Sequence, residues 1–126
     1  MGKYVQLKFD PKPYTRKEVI AYVQIKLRTN IKWATASALS IYKQQKLRER
    51  QTLVTKGTNH VGFDKLDSAR MSVICSMINK GKPLSKPQEQ MLLRRMPRYA
   101  VQVINLSNVS KLMDGVNKYY QCLSEE

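Results

Sequence analysis

Two short patterns indicate where helices begin in this chain. Thr15-Arg-Lys-Glu18 and Ser85-Lys-Pro-Gln88 each place a hydroxyl residue three positions before Glu or Gln. In such a capping box the hydroxyl oxygen accepts a hydrogen bond from the backbone of the third helical residue, whose side chain accepts one from the cap residue. Pro87 strengthens the second box, because proline suits the first turn of a helix. Helices are therefore expected directly after residues 15 and 85.

Apolar residues recur at helical spacing along most of the chain. The spacing predicts one helix over about residues 15–28 and, after a break at Thr29-Asn30, a second over about residues 31–50. A third helix is expected to open at Phe63 or Asp64 and to stop at Gly81, and a fourth begins at the second capping box. The apolar residues that fall at helical spacing in the third helix are Leu66, Ala69, Val73, Ile74, Met77 and Ile78.

The last quarter of the chain also favours helices. Residues 98–107 are rich in β-branched side chains, which favour a strand, but the chain offers no obvious strand partner and a helix is preferred. Residues 108–122 return to helical spacing, with Val109, Leu112 and Val116 on one face. The fold class expected is mainly α, a small bundle of four to six helices.

Two segments depart from this pattern. Residues 1–13 are predicted to form a short extended arm or strand, because Val5, Leu7 and Phe9 alternate with polar residues before Pro11 and Pro13 end the run. Residues 51–62 have weak periodicity and turn-forming residues, which indicates a long loop. With 126 residues, the whole chain is interpreted as a single basic helical domain spanning 1–126.

The charge of the chain constrains its partners. The sequence has 23 Lys and Arg against 9 Asp and Glu, a formal net charge of +14. Residues 1–56 hold 13 of the basic residues and only 3 acidic ones, whereas residues 101–126 hold 2 basic and 3 acidic. Such an excess calls for a counter-charge, supplied by nucleic acid, an anionic membrane surface or an acidic protein. Nucleic acid is favoured, and the near-neutral C-terminal segment is the expected contact for a protein partner.

Three groups of basic residues are the candidate nucleic-acid-binding residues. Lys43, Lys46 and Arg50 share one face of the second helix, where they could follow a phosphate backbone. Arg94, Arg95 and Arg98 cluster near the end of the fourth helix, although the helix dipole alone also favours cations there. The third group consists of Lys12, Arg16, Lys17, Lys26, Arg28 and Lys32.

Aromatic residues interleave with the third group. Trp33 is predicted to contact nucleic acid and Tyr14 is a second candidate, because bases stack on exposed rings while cations hold the phosphates. This arrangement favours RNA or single-stranded DNA over duplex. The alternative for Trp33, and for Tyr22 between them, is ordinary packing against the helices.

Catalytic patterns are missing from the sequence. It contains none of the common nucleophile, phosphate-loop, dinucleotide or metalloprotease motifs, and its carboxylates are scattered. His60 is the single histidine and Asp64 and Asp67 are a weak metal signal, so no catalytic residue, metal or cofactor is predicted.

Cys75 and Cys122 are expected to be free buried thiols in a reducing compartment, which indicates a cytoplasmic protein, or a nuclear or organellar one in a eukaryote. No membrane contact is predicted, since no apolar stretch is long enough to span a bilayer.

The function expected from these observations is non-catalytic nucleic-acid binding, as a subunit of a nucleoprotein complex that contacts the phosphate backbone. Two alternatives stay open. One is an inhibitor or adaptor whose basic surface occupies a nucleic-acid-binding or acidic site on a partner protein. The other is a helix-turn-helix binder of duplex DNA, with Gly81-Lys-Pro-Leu-Ser85 as the turn.

Overall fold

Helices dominate the computed structural model of the protein, which describes residue 7, residues 9–51 and residues 62–124, with only the backbone given for residues 48–51. The described residues form six α-helices, a 3₁₀ turn and no strand. The mainly α prediction, a small helical bundle, is confirmed. In chain order the elements are α1 (Arg16–Thr29), α2 (Ile31–Gln51), α3 (Lys65–Asn79), α4 (Lys86–Arg95), the 3₁₀ turn (Met96–Tyr99), α5 (Ala100–Leu106) and α6 (Val109–Ser124).

Both capping boxes form as the sequence predicts. At the start of α1, the backbone N–H of Glu18 donates to Thr15 Oγ1 at 3.1 Å, and the Thr15 N–H donates to Glu18 Oε1 at 2.8 Å. At the start of α4, the Gln88 N–H donates to Ser85 Oγ at 3.3 Å, and the Ser85 N–H donates to Gln88 Oε1 at 2.9 Å. Each cap satisfies donors that a helix start leaves open, which is worth about 1 kcal/mol.

The junctions between helices are also formed by residues that are close together in the chain. The Asn30 N–H closes α1 by donating to Lys26 O at 2.9 Å, and Asn30 Oδ1 accepts from the backbone of Lys32 at 3.0 Å, at the start of α2. One residue therefore ends a helix and caps the next, as the predicted break at Thr29-Asn30 requires. Gly81, after the end of α3, has a φ of 73°, a left-handed conformation that glycine adopts without steric cost.

The buried side chains form one cluster centred on α1. Helix α1 contacts α2, α4, the 3₁₀ turn, α5 and α6, so its buried face meets most of the bundle. Of residues 98–107, ambiguous in sequence, all but Ser107 lie in the 3₁₀ turn or α5, and Val103 and Ile104 lie in this core. The fully buried members of the cluster are Val19, Val23, Leu27, Ala34, Ala38, Ile41, Met71, Cys75, Leu92, Met96, Ile104 and Val116.

The apolar residues at helical spacing in α3 are only partly buried. Leu66 is 84% exposed and Val73 is 57% exposed, and Ala69 is also exposed. The buried residues of α3 are Asp67, Met71, Ile74 and Cys75. The carboxylate of Asp67 is held inside the protein by Arg95 and Tyr99, and the face of α3 that carries it packs inward.

The N-terminal segment and the long loop lie largely beyond the described residues. Of the predicted arm, Leu7 and Phe9 are half-buried and pack against the core, and residues 1–6 and residue 8 fall outside the description. Residues 52–61 of the predicted loop, including His60, also fall outside it. None of the helices in the described part has the length and apolar character that crossing a bilayer requires.

Candidate nucleic-acid interface

Two of the predicted basic residues meet in one surface cleft. Arg28 from α1 and Arg94 from α4 line a cleft of about 400 Å³, together with Gln90, Leu93 and Pro97. Both arginines are exposed. Among the residues that the structure describes, neither side chain forms an ion pair or a hydrogen bond. The cleft therefore offers two guanidinium groups whose N–H donors are open to an anion.

The position of these arginines follows from the helices that carry them. Arg28 lies in the last turn of α1 and Arg94 in the last turn of α4, where the partial negative charge of the helix end favours a cation. The Gln24 side chain donates to the backbone oxygen of Pro97 at 3.3 Å, which ties α1 to the turn that follows α4. The helix dipole explains why a cation is favourable at each helix end. It provides no hydrogen-bond acceptor for the five N–H donors of the guanidinium group, which can still bind an anion.

The other two arginines of the predicted Arg94–Arg98 cluster are paired with carboxylates. Arg95 Nε donates to Asp67 Oδ1 at 3.0 Å and its Nη2 donates to Asp67 Oδ2 at 3.3 Å. Arg98 Nη2 lies 3.0 Å from Asp64 Oδ2 in an exposed ion pair. The two aspartates considered as a weak metal signal are therefore partners of arginines, and Asp64, although it precedes α3, makes no side-chain cap bond.

Tyr99 completes the buried network around Asp67. Its hydroxyl donates to Asp67 Oδ2 at 2.6 Å and accepts from the backbone N–H of Asp64 at 3.0 Å. Burial would raise the pKa of Asp67, but hydrogen bonds from Tyr99 and Arg95 and the positive charges of Arg95 and Arg98 bring the pKa below its ordinary value. Burial, followed by the hydrogen bond to Asp67, raises the pKa of Tyr99. Arg95 thus has a structural partner, unlike Arg94.

The predicted basic face of α2 is partly described. Lys43 and Lys46 are exposed, and Lys46 Nζ lies 5.5 Å from the centre of the Tyr42 ring. The Arg50 side chain lies outside the described part of the chain. Within that part, the Lys43 side chain has no hydrogen-bond or ion-pair partner, so it remains available to a ligand.

The remaining predicted cations are spread over the start of the chain. Lys12, Lys17 and Lys32 are exposed, and Lys12 Nζ lies 3.7 Å from Asp10 Oδ2. Arg16 is half-buried, and Lys26 Nζ lies 5.8 Å from the centre of the Tyr22 ring. Of this group, Arg28 lines the cleft that Arg94 of the second group also lines.

The candidate stacking rings have partners within the protein. Trp33 is half-buried and meets Tyr22 edge-on, with ring centres 6.0 Å apart. Tyr14 stacks on Tyr120 at 5.4 Å, and its hydroxyl donates to Asn117 Oδ1 at 2.7 Å. Both rings therefore contribute to packing, the alternative that the sequence leaves open for Trp33.

The C-terminal tyrosines also face the bundle. The Tyr120 hydroxyl donates to the backbone oxygen of Glu18 at 2.7 Å, and Tyr119 packs on Tyr22 with ring centres 5.3 Å apart.

The two cysteines are free, and Cys75 is buried as predicted. The prediction that Cys122 is buried is wrong, because the last turn of α6 extends beyond the core and residues 121–124 are exposed.

One basic residue was missed by sequence reasoning. Arg70 of α3 is exposed and lines a second groove of about 400 Å³ between α3 and α4, in which Arg94 also takes part. Arg70 lies at the surface because α3 packs with Asp67, Met71, Ile74 and Cys75 toward the core. No pattern in the sequence marked Arg70, because it belongs to none of the three basic groups and the face of α3 that packs inward depends on residues distant in the chain.

In the helix-turn-helix alternative α4 follows the turn and would read the DNA, but two of its polar side chains bind other parts of the protein. Gln88 closes the capping box and donates to Met77 Sδ at 3.3 Å, and Arg95 is held by Asp67.

Within the described part of the chain, no three His, Cys, Asp or Glu side chains come together as metal ligands. Comparison with protein-family models, with curated proteins and with solved structures finds no match to this chain.

Proposed function

We propose that this protein binds nucleic acid without catalysis, as a subunit of a nucleoprotein complex, and that Arg28 and Arg94 hold phosphate groups of the backbone. The observation that carries the proposal is their shared cleft, which two arginines from different helices line without a partner among the described residues. Guanidinium groups match phosphate oxygens with paired N–H donors, which makes arginine well suited to this contact.

The wider charge distribution supports the same ligand. Successive phosphates attract a surface on which cations are repeated, and the net charge of +14 supplies a long-range attraction. Lys43 is a second expected contact, since it is exposed and without a partner among the described residues. A reducing compartment such as the cytoplasm fits two cysteines that are not joined in a disulfide.

The experiment is fluorescence anisotropy with labelled single-stranded RNA, single-stranded DNA and duplex DNA over a salt series. The Arg28→Gln/Arg94→Gln variant is compared with Lys111→Gln/Lys118→Gln, which removes the same charge from exposed positions on α6. We expect the arginine variant to lose about tenfold or more in affinity and to flatten the log–log salt slope by about 1.4–1.8. The lysine variant should change both quantities less.

Equal losses in the two variants would reject the cleft and leave a response to net charge alone. Weak, salt-independent binding of the unmodified protein to all three ligands would reject nucleic acid and favour an acidic protein partner. Single strands are the preferred ligands if bases stack on the exposed part of Trp33. In that case Trp33→Leu weakens single-strand binding and spares the duplex, whereas tightest binding to duplex DNA would favour the helix-turn-helix alternative.

A further inference from the structure

An apolar stripe on α3 lies uncovered on the protein surface. Leu66, Ala69 and Val73 lie at positions i, i+3 and i+7, so they share one face of the helix, and all three are exposed. Isolated apolar residues on a surface are ordinary, but a stripe at helical spacing beside a groove marks an interaction site. This stripe takes no part in the nucleic-acid cleft described above.

The stripe borders the groove between α3 and α4. Val73 and Ile74 line it from α3, and Pro87 and Met91 line it from α4. The groove measures about 400 Å³ and its lining is mainly apolar apart from Gln88 and one arginine from each helix. An apolar groove between two helices is the shape that receives the apolar face of a third helix.

The charges on this groove identify the kind of helix that fits. Arg70 lies three residues before Val73, and Arg94 lies three residues after Met91. Neither arginine has a carboxylate or hydrogen-bond partner among the residues that the structure describes. A ligand that buries its apolar side in the groove therefore meets two open cations, which acidic side chains would neutralise.

Two other occupants fit the groove less well. A second copy of this chain carries the same charge of +14, and pairing the same faces would bring arginines of both copies together. A phosphate backbone has no apolar surface to cover Leu66, Val73 and Met91. We infer that the groove between α3 and α4 docks an acidic amphipathic helix of a partner protein.

The test is a display selection followed by direct binding. A library of random peptides about 16 residues long, enough for about four helical turns, is selected on the full chain and counter-selected on Leu66→Gln/Val73→Gln. Both substituted positions are exposed, so this variant keeps the fold, which circular dichroism checks. The selected peptides should carry Asp or Glu together with apolar residues spaced i, i+3 or i+4, and i+7.

Binding of the labelled peptides then tests the site. We expect Leu66→Gln/Val73→Gln and Arg70→Glu each to weaken binding by about tenfold or more. The matched control Val109→Gln/Leu123→Gln, which changes two exposed apolar residues of α6, should bind as the unmodified protein does.

Several results would overturn the inference. These are a selection that enriches no peptide, peptides without acidic residues, or peptides that bind Leu66→Gln/Val73→Gln unchanged. A dimer that this variant converts to a monomer in light scattering would assign the stripe to a second copy. The oligonucleotide affinity of the same variant should be unaltered, so a fall in that affinity would place the groove in the nucleic-acid site. The two proposals can therefore fail separately.

Discussion

The guanidinium group of Arg95 donates to both carboxylate oxygens of Asp67, at 3.0 and 3.3 Å, and this pair fixes how α3 sits on the rest of the bundle. Asp67 is only 4% exposed, so its charge depends on Arg95 and on the Tyr99 hydroxyl for solvation. With Asp67 buried, the face of α3 that also carries Met71, Ile74 and Cys75 turns inward, and Leu66 and Val73 lie at the surface.

Replacing Asp67 with asparagine should destabilise the protein. The amide has no charge, and its NH₂ group would face the Arg95 or Tyr99 donors, so at least one hydrogen bond to a buried group is lost. We expect the free energy of unfolding to fall by about 2 kcal/mol in urea denaturation followed at 222 nm. The control Asp10→Asn, which removes an exposed pair with Lys12, should cost about 0.5 kcal/mol or less. Equal effects of the two substitutions would contradict a structural role for Asp67.

The same carboxylate should make stability depend on acid. The pKa of Asp67 is lower in the folded protein than in the unfolded chain, so the unfolded chain binds this proton more readily. Its stabilising contribution is therefore complete above the ordinary carboxyl pKa of about 4. It is lost as the pH falls through the lower pKa of the folded state. The gap in urea midpoint between the unmodified protein and Asp67→Asn should accordingly be constant near neutral pH and shrink in acid. A gap that stays constant down to pH values of about 2 would refute this assignment.

Gly115 of α6 is expected to resist substitution although alanine favours helices. A Cβ at this position would collide with the hydroxyl oxygen of Tyr22. Tyr22 is buried and packed between Trp33 and Tyr119, so its ring has little room to move. We expect Gly115→Ala to lower the free energy of unfolding by about 1–2 kcal/mol despite a gain in helix propensity of about 1 kcal/mol.

The double variant Tyr22→Phe/Gly115→Ala provides the control for this collision. It removes the hydroxyl oxygen that the new methyl group meets, so the added cost of Gly115→Ala should be smaller in this background. Thermal denaturation of the four proteins in the cycle measures the coupling. A Gly115→Ala protein more stable than the unmodified chain would show that Tyr22 moves aside freely.

The two thiols should differ in reactivity. Burial raises the pKa of Cys75 to about 12, which suppresses the reactive thiolate, whereas Cys122 is exposed near the end of α6. Titration with a disulfide reagent should detect one rapidly reacting thiol in the folded protein and a second after denaturation. Cys122→Ser should abolish the rapid phase. A rapid phase that persists in this variant would mean that the core around Cys75 opens readily.

Features set by neighbouring residues could be predicted from the sequence. The capping boxes at Thr15 and Ser85, the break at Asn30 and the stop at Gly81 each depend on residues a few positions apart, and all four form as expected. The helical character of residues 98–107 was also predicted, because the chain offered no partner strand. Local hydrogen bonding decides these features, so the pattern of residue types is sufficient.

Features set by residues far apart in the chain could not be predicted. The rotation of α3 depends on Asp67 meeting Arg95 and Tyr99. The α3 sequence has apolar residues on both its buried and its exposed side, so their spacing alone does not fix the rotation. The composition of the predicted interface likewise depends on residues far apart in the chain. Arg28 and Arg94 were both candidates, but only tertiary packing brings them into one cleft, and only the ion pairs separate Arg94 from Arg95 and Arg98.

Arg94 lines both the cleft shared with Arg28 and the groove shared with Arg70. One guanidinium group cannot give the same donors to a phosphate and to a partner's carboxylate at once. If the protein binds both ligands as proposed, they are thermodynamically linked, and each raises the dissociation constant of the other by the same factor. A partner helix seated between α3 and α4 would then loosen the hold on nucleic acid, and this one residue would make release of the polyanion responsive to the concentration of a second protein.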